Sequence, residues 1–251
     1  MLHNVEADLR QRVVSALSTV NDPEMDEPIT DLGFVRRISI TEEGRVSVDI
    51  VTSTFWCSPN FVYMMLEDAR AVLSRLPGVR EVRVELAGHH DSTRINEAIN
   101  AGKSFSECYG SETRSDLVEL NRIFREKALH SRLHAMSTAL ARCGLRAEDL
   151  LRLEVDDLEL GDGVYTVKTD DRLVTVADSE DVGRITRYLN FLEGLGRKAG
   201  PLVIWDLAGN LPARDEFESF LEKSRSTRAA FGLNAELCRA LLESRLNREE
   251  P

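Results

Sequence analysis

Apolar residues recur at helical spacing from the start of the chain. Val5, Leu9, Val13, Ala16, Leu17 and Val20 share one face at steps of three and four, which predicts an amphipathic helix. It should end near Asn21, because Asp22 precedes Pro23 and a residue before proline avoids the helical region. A loop, DPEMDEPITDLG, carries the chain to Gly33. The period then switches to two. Val35–Ile40 and Arg45–Val51 predict two strands joined by a turn at Thr41–Gly44, and Val46, Val48 and Ile50 alternate with polar neighbours as on a half-covered sheet. Thr52 to Trp56 lead into Cys57-Ser58-Pro59, where Ser58 suits an N-cap and Pro59 the first helical position. The helix that follows, to about Leu76, should bury Phe61, Met65, Ala69, Val72 and Leu76 before Pro77-Gly78 stops it. Val82, Val84 and Leu86 predict a third strand. The expectation for residues 1–87 is an α-β-β-α-β domain with a small mixed sheet.

Residues 88–114 are less regular and read as a connecting segment. His89-His90-Asp91 leads into a short helix, Ser92 to Ala101, stopped by Gly102, and GKSFSECYGSE reads as a turn-rich linker. Residues 115–251 predict a mainly helical C-terminal domain with a short β-meander, so the fold class is α+β. A long helix spans Ser115 to Arg142, with Leu117, Leu120, Phe124, Leu133, Met136 and Leu140 on one side and Gly144 after its end. A helical turn at 147–153 precedes strands near 157–160, 164–168 and 173–176, the first two joined by Gly161-Asp162-Gly163. A helix at Asp181–Leu195, a strand at Leu202–Trp205 and two closing helices, Asp215–Lys223 and Asn234–Leu246, complete the pattern.

Composition narrows the classes. A chain of 251 residues is long enough for one large or two ordinary domains, and 42% hydrophobic with 30% charged residues is an ordinary globular balance. No apolar run reaches the roughly 18 residues of a membrane span. The opening MLHNVEADLRQR carries acids and lacks an apolar stretch, so no secretory signal and a cytoplasmic location are expected. A net charge of −11 argues against nucleic acid as a partner, because phosphate binding needs a cationic surface. The four cysteines, Cys57, Cys108, Cys143 and Cys238, are scattered without a CxxC pair. They read as reduced thiols, neither a disulfide framework nor a complete all-cysteine metal cage.

Candidate chemistry centres on Cys57. It stands one residue before a helix N-cap, near unpaired backbone N–H groups and the positive end of the helix dipole. Only a thiolate ligates soft metals or attacks sulfur; the plainer reading is a buried, inert thiol. Asp22 and Glu24, flanking Pro23, offer hard oxygen ligands for a metal, or merely end a helix and face water. His89 and His90 follow the third strand and complete an N/O/S metal set with Cys57 if its end approaches the helix start. Adjacent residues on an extended chain point to opposite sides, so at most one should face a given ion. The plainer reading is a polar loop in which Asp91 or Ser92 caps the next helix. His130 and His134, four apart on one helix face, have the spacing of a metal pair, but the polar-surface reading is the one favoured. Cys108, in a Gly/Ser-rich loop, is a candidate exposed second thiol.

The string VVSALSTVNDPEMDEPITDLGFVRRISI, followed by VSVDIVTSTFWCSPNFVYMMLEDARAVLSRLPGVREVRVEL, resembles the PaaD/SufT iron–sulfur assembly family throughout. The resemblance rests on Asp22-Pro23-Glu24, the Asp31-Leu32-Gly33 turn, the Thr-rich loop ending in Cys57, and the LPGV at Leu76–Val79. It implies a non-catalytic maturation factor that transiently holds iron or an iron–sulfur cluster and helps insert it into a client, with Cys57 as the functional thiol near Asp22 and Glu24. Two departures are visible: the family sets proline directly after the cysteine, whereas Ser58 intervenes here, and the zinc-ribbon cysteines that end PaaD proteins are absent. Similar fused proteins accompany bacterial multicomponent diiron monooxygenases. The implied partners are therefore a client metalloenzyme, such as a diiron monooxygenase hydroxylase, other assembly proteins, or a second copy of the chain in a homodimer.

The second half carries a weaker similarity. Cys143 to Leu153, then three short strands and a helix, is similar to the opening of a tyrosine-recombinase catalytic domain, with Arg146 at its first phosphate-clamping arginine and Lys168 on a hairpin. Strand cleavage needs a phenolic nucleophile and cationic stabilisation of the phosphate. Only Tyr165 and Tyr188 follow Arg146, and no histidine follows His134, so a partner-binding module is implied. The alternative functions are a recombinase-derived DNA-binding or regulatory protein without cleavage activity, and a thiol enzyme using Cys57, which lacks an evident His/Asp partner set.

Overall fold

The opening apolar stripe forms helix α1 (Leu2–Leu17), with Leu9, Val13 and Leu17 buried. The structure, a computed structural model, describes residues 2–113 and 116–249; the side chain of Val5 lies outside what it describes. The helix ends at Leu17, not near Asn21. Ser18 and Thr19 donate their hydroxyls to the carbonyls of Ser15 and Ala16 at 2.8 and 2.7 Å, satisfying last-turn acceptors before proline acts. The stretch expected to be loop then forms a short ladder, β1 (Asn21–Asp22) against β2 (Glu27–Pro28).

Next come β3 (Val35–Ile40) and β4 (Arg45–Val51), paired antiparallel, and β5 (Glu81–Ala87), parallel to β4, in the order β3-β4-β5. Parallel neighbours need a crossover, and α2 (Pro59–Ser74) supplies it. Pro59 occupies its first turn and Ser58 its N-cap position, although the Ser58 hydroxyl makes no capping bond. The buried face is the expected one only in part. Val62, Tyr63, Met65, Leu66, Ala69 and Leu73 are buried, whereas Phe61, Val72 and Leu76 are only half-buried. The helix packs against α1 as well as β5, so its core-facing arc is wider than one stripe and is turned toward Leu66 and Leu73.

Helix α3 (Ser92–Asn100) seals the outer edge of β5. The Asn96 amide accepts from Leu86 N at 2.7 Å and donates to Leu86 O at 3.1 Å; Asn100 does the same with Val84 at 3.0 and 2.9 Å. Residues four apart on the helix thus match residues two apart on the strand and satisfy its unpaired edge. GKSFSECYGSE is not a linker. Ser104 and Glu107 form a reciprocal capping box that starts α4 (Phe105–Tyr109), and Phe105 is buried against Tyr63.

The chain divides into two compact units, Met1–Arg122 with Gly232–Pro251, and Ile123–Phe231. Helix α5 begins at Val118 and runs to Arg142, ahead of Gly144, whose φ is +88°. In the second unit, α6 (Ala147–Leu150), the antiparallel meander β6 (Leu158–Gly161), β7 (Val164–Lys168) and β8 (Leu173–Val176), and α7 (Ser179–Gly194) share a core containing Leu133, Met136, Leu140, Tyr165, Ile185 and Tyr188. Asp162 and Gly163 have φ of 51° and 77°, as a two-residue hairpin turn requires. Leu202–Trp205 is not a strand. Leu202, Val203 and Ile204 are buried, but only a single bridge, Glu154 to Pro201, pairs beside them. The two expected closing helices are one, α8 (Phe217–Glu249). Gly232, at about 1 kcal/mol relative to alanine, is too weak an interruption to break it. No helix among the described residues is long and apolar enough to cross a membrane.

The orientation of α2 makes a prediction. Leu73→Ala should lower the unfolding free energy by about 2–5 kcal/mol, the range for emptying a core leucine site. Val72→Ala should cost less than half as much in the same urea titration.

Candidate functional site

Because β4 and β5 are parallel, with Val51 opposite Ala87, the chains leaving them emerge at the same end of the sheet. Thr52–Cys57 follows one strand and Gly88–Asp91 the other. The two loops are bonded together: His90 N donates to Phe55 O at 3.1 Å, and His89 Nε2 lies 2.8 Å from Cys57 O. Asp91 N donates to His89 Nδ1 at 3.2 Å, so Nδ1 is the acceptor and the proton sits on Nε2, which donates to the Cys57 carbonyl. The ring is buried, which pushes its pKa down, while the bond to the Cys57 carbonyl works the other way. Both imidazole nitrogens are occupied, Nε2 by the Cys57 carbonyl and Nδ1 by the Asp91 N–H. Asp91 stands at the N-cap position of α3 without a capping bond; its carboxylate instead accepts from Tyr109 Oη at 2.6 Å.

Cys57 as a residue is half-buried. Ser53 Oγ and Thr54 Oγ1 lie 3.5 and 3.4 Å from its sulfur, a pair of hydroxyls able to donate to a thiolate. Beside it Phe55 and Trp56 face solvent, and exposed His90 stacks on Trp56 with ring centroids 5.0 Å apart.

The acidic loop is organised by Asp22 itself. Its Oδ1 accepts from Glu24 N and Met25 N at 2.8 and 3.2 Å, so the side chain folds the turn through Pro23. Burial pushes the Asp22 pKa up to about 7, against those two bonds and with the Glu24 charge adding to the rise. Glu24 is exposed.

Helix α8 brings to the same core a thiol that the sequence reading left aside. Cys238, on α8 within the first unit, is half-buried at the margin of the same core as Cys57. Burial pushes its pKa up. Its helix is anchored around the site. Arg239 pairs with Glu27, Leu242 is buried against Gly33, and Arg245 donates from Nη1 to Thr52 O at 2.9 Å and from Nη2 to Gly88 O at 2.6 Å. Gly88, at φ +59°, admits this approach: a Cβ there would stand 1.9 Å from Arg245 Nη2. The available signal was the spacing of Ala235, Cys238, Leu242 and Arg245, an inward stripe at steps of three and four.

Other candidates are dispersed. His130 Nε2 lies 3.2 Å from Trp205 O with its ring edge on Phe220, while His134 lines a cavity of about 320 Å³ with Glu222 and Arg225. Cys108 is half-buried, its Sγ 3.9 Å from Arg94 O, rather than exposed. Arg146 and Lys168 share a polar cleft of about 580 Å³ with Arg152, but Asp149, Asp157, Asp170 and Asp171 line it too. Tyr188 Oη is committed to Leu202 O at 2.7 Å and Tyr165 Oη to Thr186 at 3.1 Å. Among the described residues, no group of three or more His, Cys, Asp or Glu side chains converges as a metal cage.

Comparison with known proteins supplies the family. The sequence profile described as iron-sulfur cluster assembly protein matches residues 10–86. An uncharacterised protein of Methanocaldococcus jannaschii is 32% identical over 90 residues, 36% of this chain and 93% of its own length. The chain belongs to the iron–sulfur cluster assembly protein family. Within that family, the iron-sulfur cluster carrier protein of Mycobacterium leprae is 36% identical over 88 residues, 35% of this chain but 22% of the carrier, so the chain spans about a fifth of that relative. The Fe-S protein maturation auxiliary factor YitW of Bacillus subtilis is 24% identical over 90 residues, 36% of this chain and 86% of its own. These names describe carriers and maturation factors rather than catalysts. The family segment contains Asp22, Glu24, Ser53 and Cys57; His89, His90, Cys238 and Arg245 lie beyond it.

The buried Asp22 predicts a pH signature. Between the ordinary value of 3.8 and about 7, the folded chain holds a proton that the unfolded chain releases. The resulting stability is fully present below the lower value and is lost as pH rises toward the higher one. Asp22→Asn keeps an oxygen acceptor for Glu24 N and Met25 N and removes the ionisation. Urea titrations at pH 5 and pH 8 should show a smaller loss of stability for the variant than for the parent chain.

Proposed function

We propose that this protein is an accessory maturation factor in which Cys57 carries iron or an iron–sulfur unit in transit to a client metalloenzyme. Membership of the iron–sulfur assembly family supports the general role. The observation that carries the residue-level reading is the setting of Cys57: a half-buried cysteine, its sulfur flanked by the Ser53 and Thr54 hydroxyls, on a backbone fixed by the His89–carbonyl bond. A thiolate ligates iron strongly, and hydroxyl donors stabilise its charge without competing for the metal. His89 acts as a positioning residue. Asp22 and Glu24 are oxygen donors on the turn between β1 and β2, and exposed His90 is an imidazole beside Trp56. A cysteine that is neither sealed nor fully exposed fits a cargo that must arrive and leave.

For the client, the proposal is an enzyme that needs iron. A multicomponent diiron monooxygenase hydroxylase is the case that the fused architecture resembles. No turnover chemistry is assigned to the factor itself; ligand exchange onto the client's own side chains completes the transfer.

The test is anaerobic metal analysis of the full chain and of Cys57→Ala after loading with ferrous iron and sulfide, followed by incubation with the metal-free hydroxylase. The expected result is that Cys57→Ala retains little iron after gel filtration and does not raise the hydroxylase's iron content. Equal iron in both proteins, together with equal transfer, would remove the proposal.

A further inference from the structure

Helix α5 carries two polar side chains that the iron–sulfur reading does not use. His134 and Ser137 line the cavity of about 320 Å³ in the second unit, together with residues of α6 and the 221–225 stretch of α8. Ser137 is 7% exposed, and its hydroxyl has no hydrogen-bond partner among the described residues. His134 Nδ1 is likewise sealed from solvent and unpaired. The adjacent Thr138 shows the ordinary solution on a helix, donating its hydroxyl to His134 O at 2.8 Å. Buried polar groups without a partner are rare, because each has given up its bonds to water and gained none in return. Burial, helped by the Arg228 and Arg225 charges, pushes the His134 pKa down. The imidazole is therefore neutral near pH 7, and Nδ1 donates or accepts according to its tautomer. Much of the remaining wall is apolar: Leu145 and Leu150 are buried, and Leu221 lines the cavity from α8. Glu222 and Arg225, also lining it, are exposed and carry opposite charges.

We propose that this cavity binds a small neutral molecule, mostly hydrocarbon, that carries one hydroxyl group. The inference is independent of the reading of Cys57. The volume falls at the lower end of the range for small-molecule sites, roughly 300–1,000 Å³. The leucine side chains take the hydrocarbon. A ligand hydroxyl donates and accepts at once, which suits a serine hydroxyl and a neutral imidazole three residues apart on one helix face. Two features disfavour a charged ligand. Neither Ser137 nor His134 carries a charge, and the Glu222 carboxylate and Arg225 guanidinium offset each other at the exposed side. A plain hydrocarbon would fill the space and leave both polar groups unpaired, so the hydroxyl supplies the selectivity.

The test is equilibrium dialysis of the full chain against 2-naphthol, a single hydroxyl on an aromatic hydrocarbon, with naphthalene and 2-naphthoate as comparisons. One saturable site for 2-naphthol is expected, with naphthalene bound roughly tenfold more weakly, the worth of one hydrogen bond. Ser137→Ala should weaken 2-naphthol binding by a similar factor and leave naphthalene binding no weaker. Without ligand, the same variant should be no less stable to urea than the parent chain, because the hydroxyl it loses has no partner within the fold. Ala141→Trp, at an exposed lining position, should abolish binding of both compounds without altering a core residue. Equal affinity for 2-naphthol and naphthalene would overturn the proposal. So would tighter binding of 2-naphthoate, binding that survives Ala141→Trp, or a loss of stability in Ser137→Ala. No saturable uptake of 2-naphthol identifies a cavity for water alone and refutes it too.

Discussion

Parallel pairing of β4 with β5 sends the two following segments out at the same end of the sheet. Had the strands run antiparallel, the Thr-rich loop and the histidine loop would leave from opposite ends, and His89 could not reach the Cys57 carbonyl. Open sheets that bind ligands do so beyond the carboxyl ends of parallel strands for this reason. The crossover helix α2 is part of the same constraint, because its start has to sit directly after β4, and that start is where Cys57 lies.

The second influence comes from far along the chain. Arg245 donates to carbonyls just past the ends of β4 and β5, groups with no further strand partner, and a charged donor there gives a stronger bond than a neutral one. Gly88 is needed to let the guanidinium in. The acidic side of the site is balanced differently. Asp22 is buried with backbone donors rather than a cation on its Oδ1, so its ionisation remains costly, whereas Glu27 at the end of the same loop has Arg239.

Much of this was readable in the sequence, for identifiable reasons. The sheet strands sit where alternation put them, since Val46, Val48 and Ile50 have only one covered face. The positions of Ser58 and Pro59 at the start of α2 follow from local backbone preference. Helix α4 was missed although Ser104 three residues before Glu107 is a capping signature, because the small polar residues around it read as turn. The face of α2 was legible only in part, at Met65 and Ala69, because two neighbours bury the helix and periodicity describes one. The apolar run at Leu202–Ile204 reads as a strand by composition, and whether it finds an edge to pair with is a tertiary matter. Cys238 illustrates the limit most clearly: nothing local distinguishes it from an ordinary half-buried thiol, and most of the core it packs against lies over a hundred residues away in the chain.

The amides of Asn96 and Asn100 carry a consequence of their own. By answering the peptide groups of Leu86 and Val84, they occupy the places that an incoming extended peptide would take. Recruitment by lengthening the sheet on this flank is thereby closed off, and so is fibrillar self-association through it. The loop end offers a different surface, an indole and an imidazole stacked in the open, which reads side chains rather than backbone.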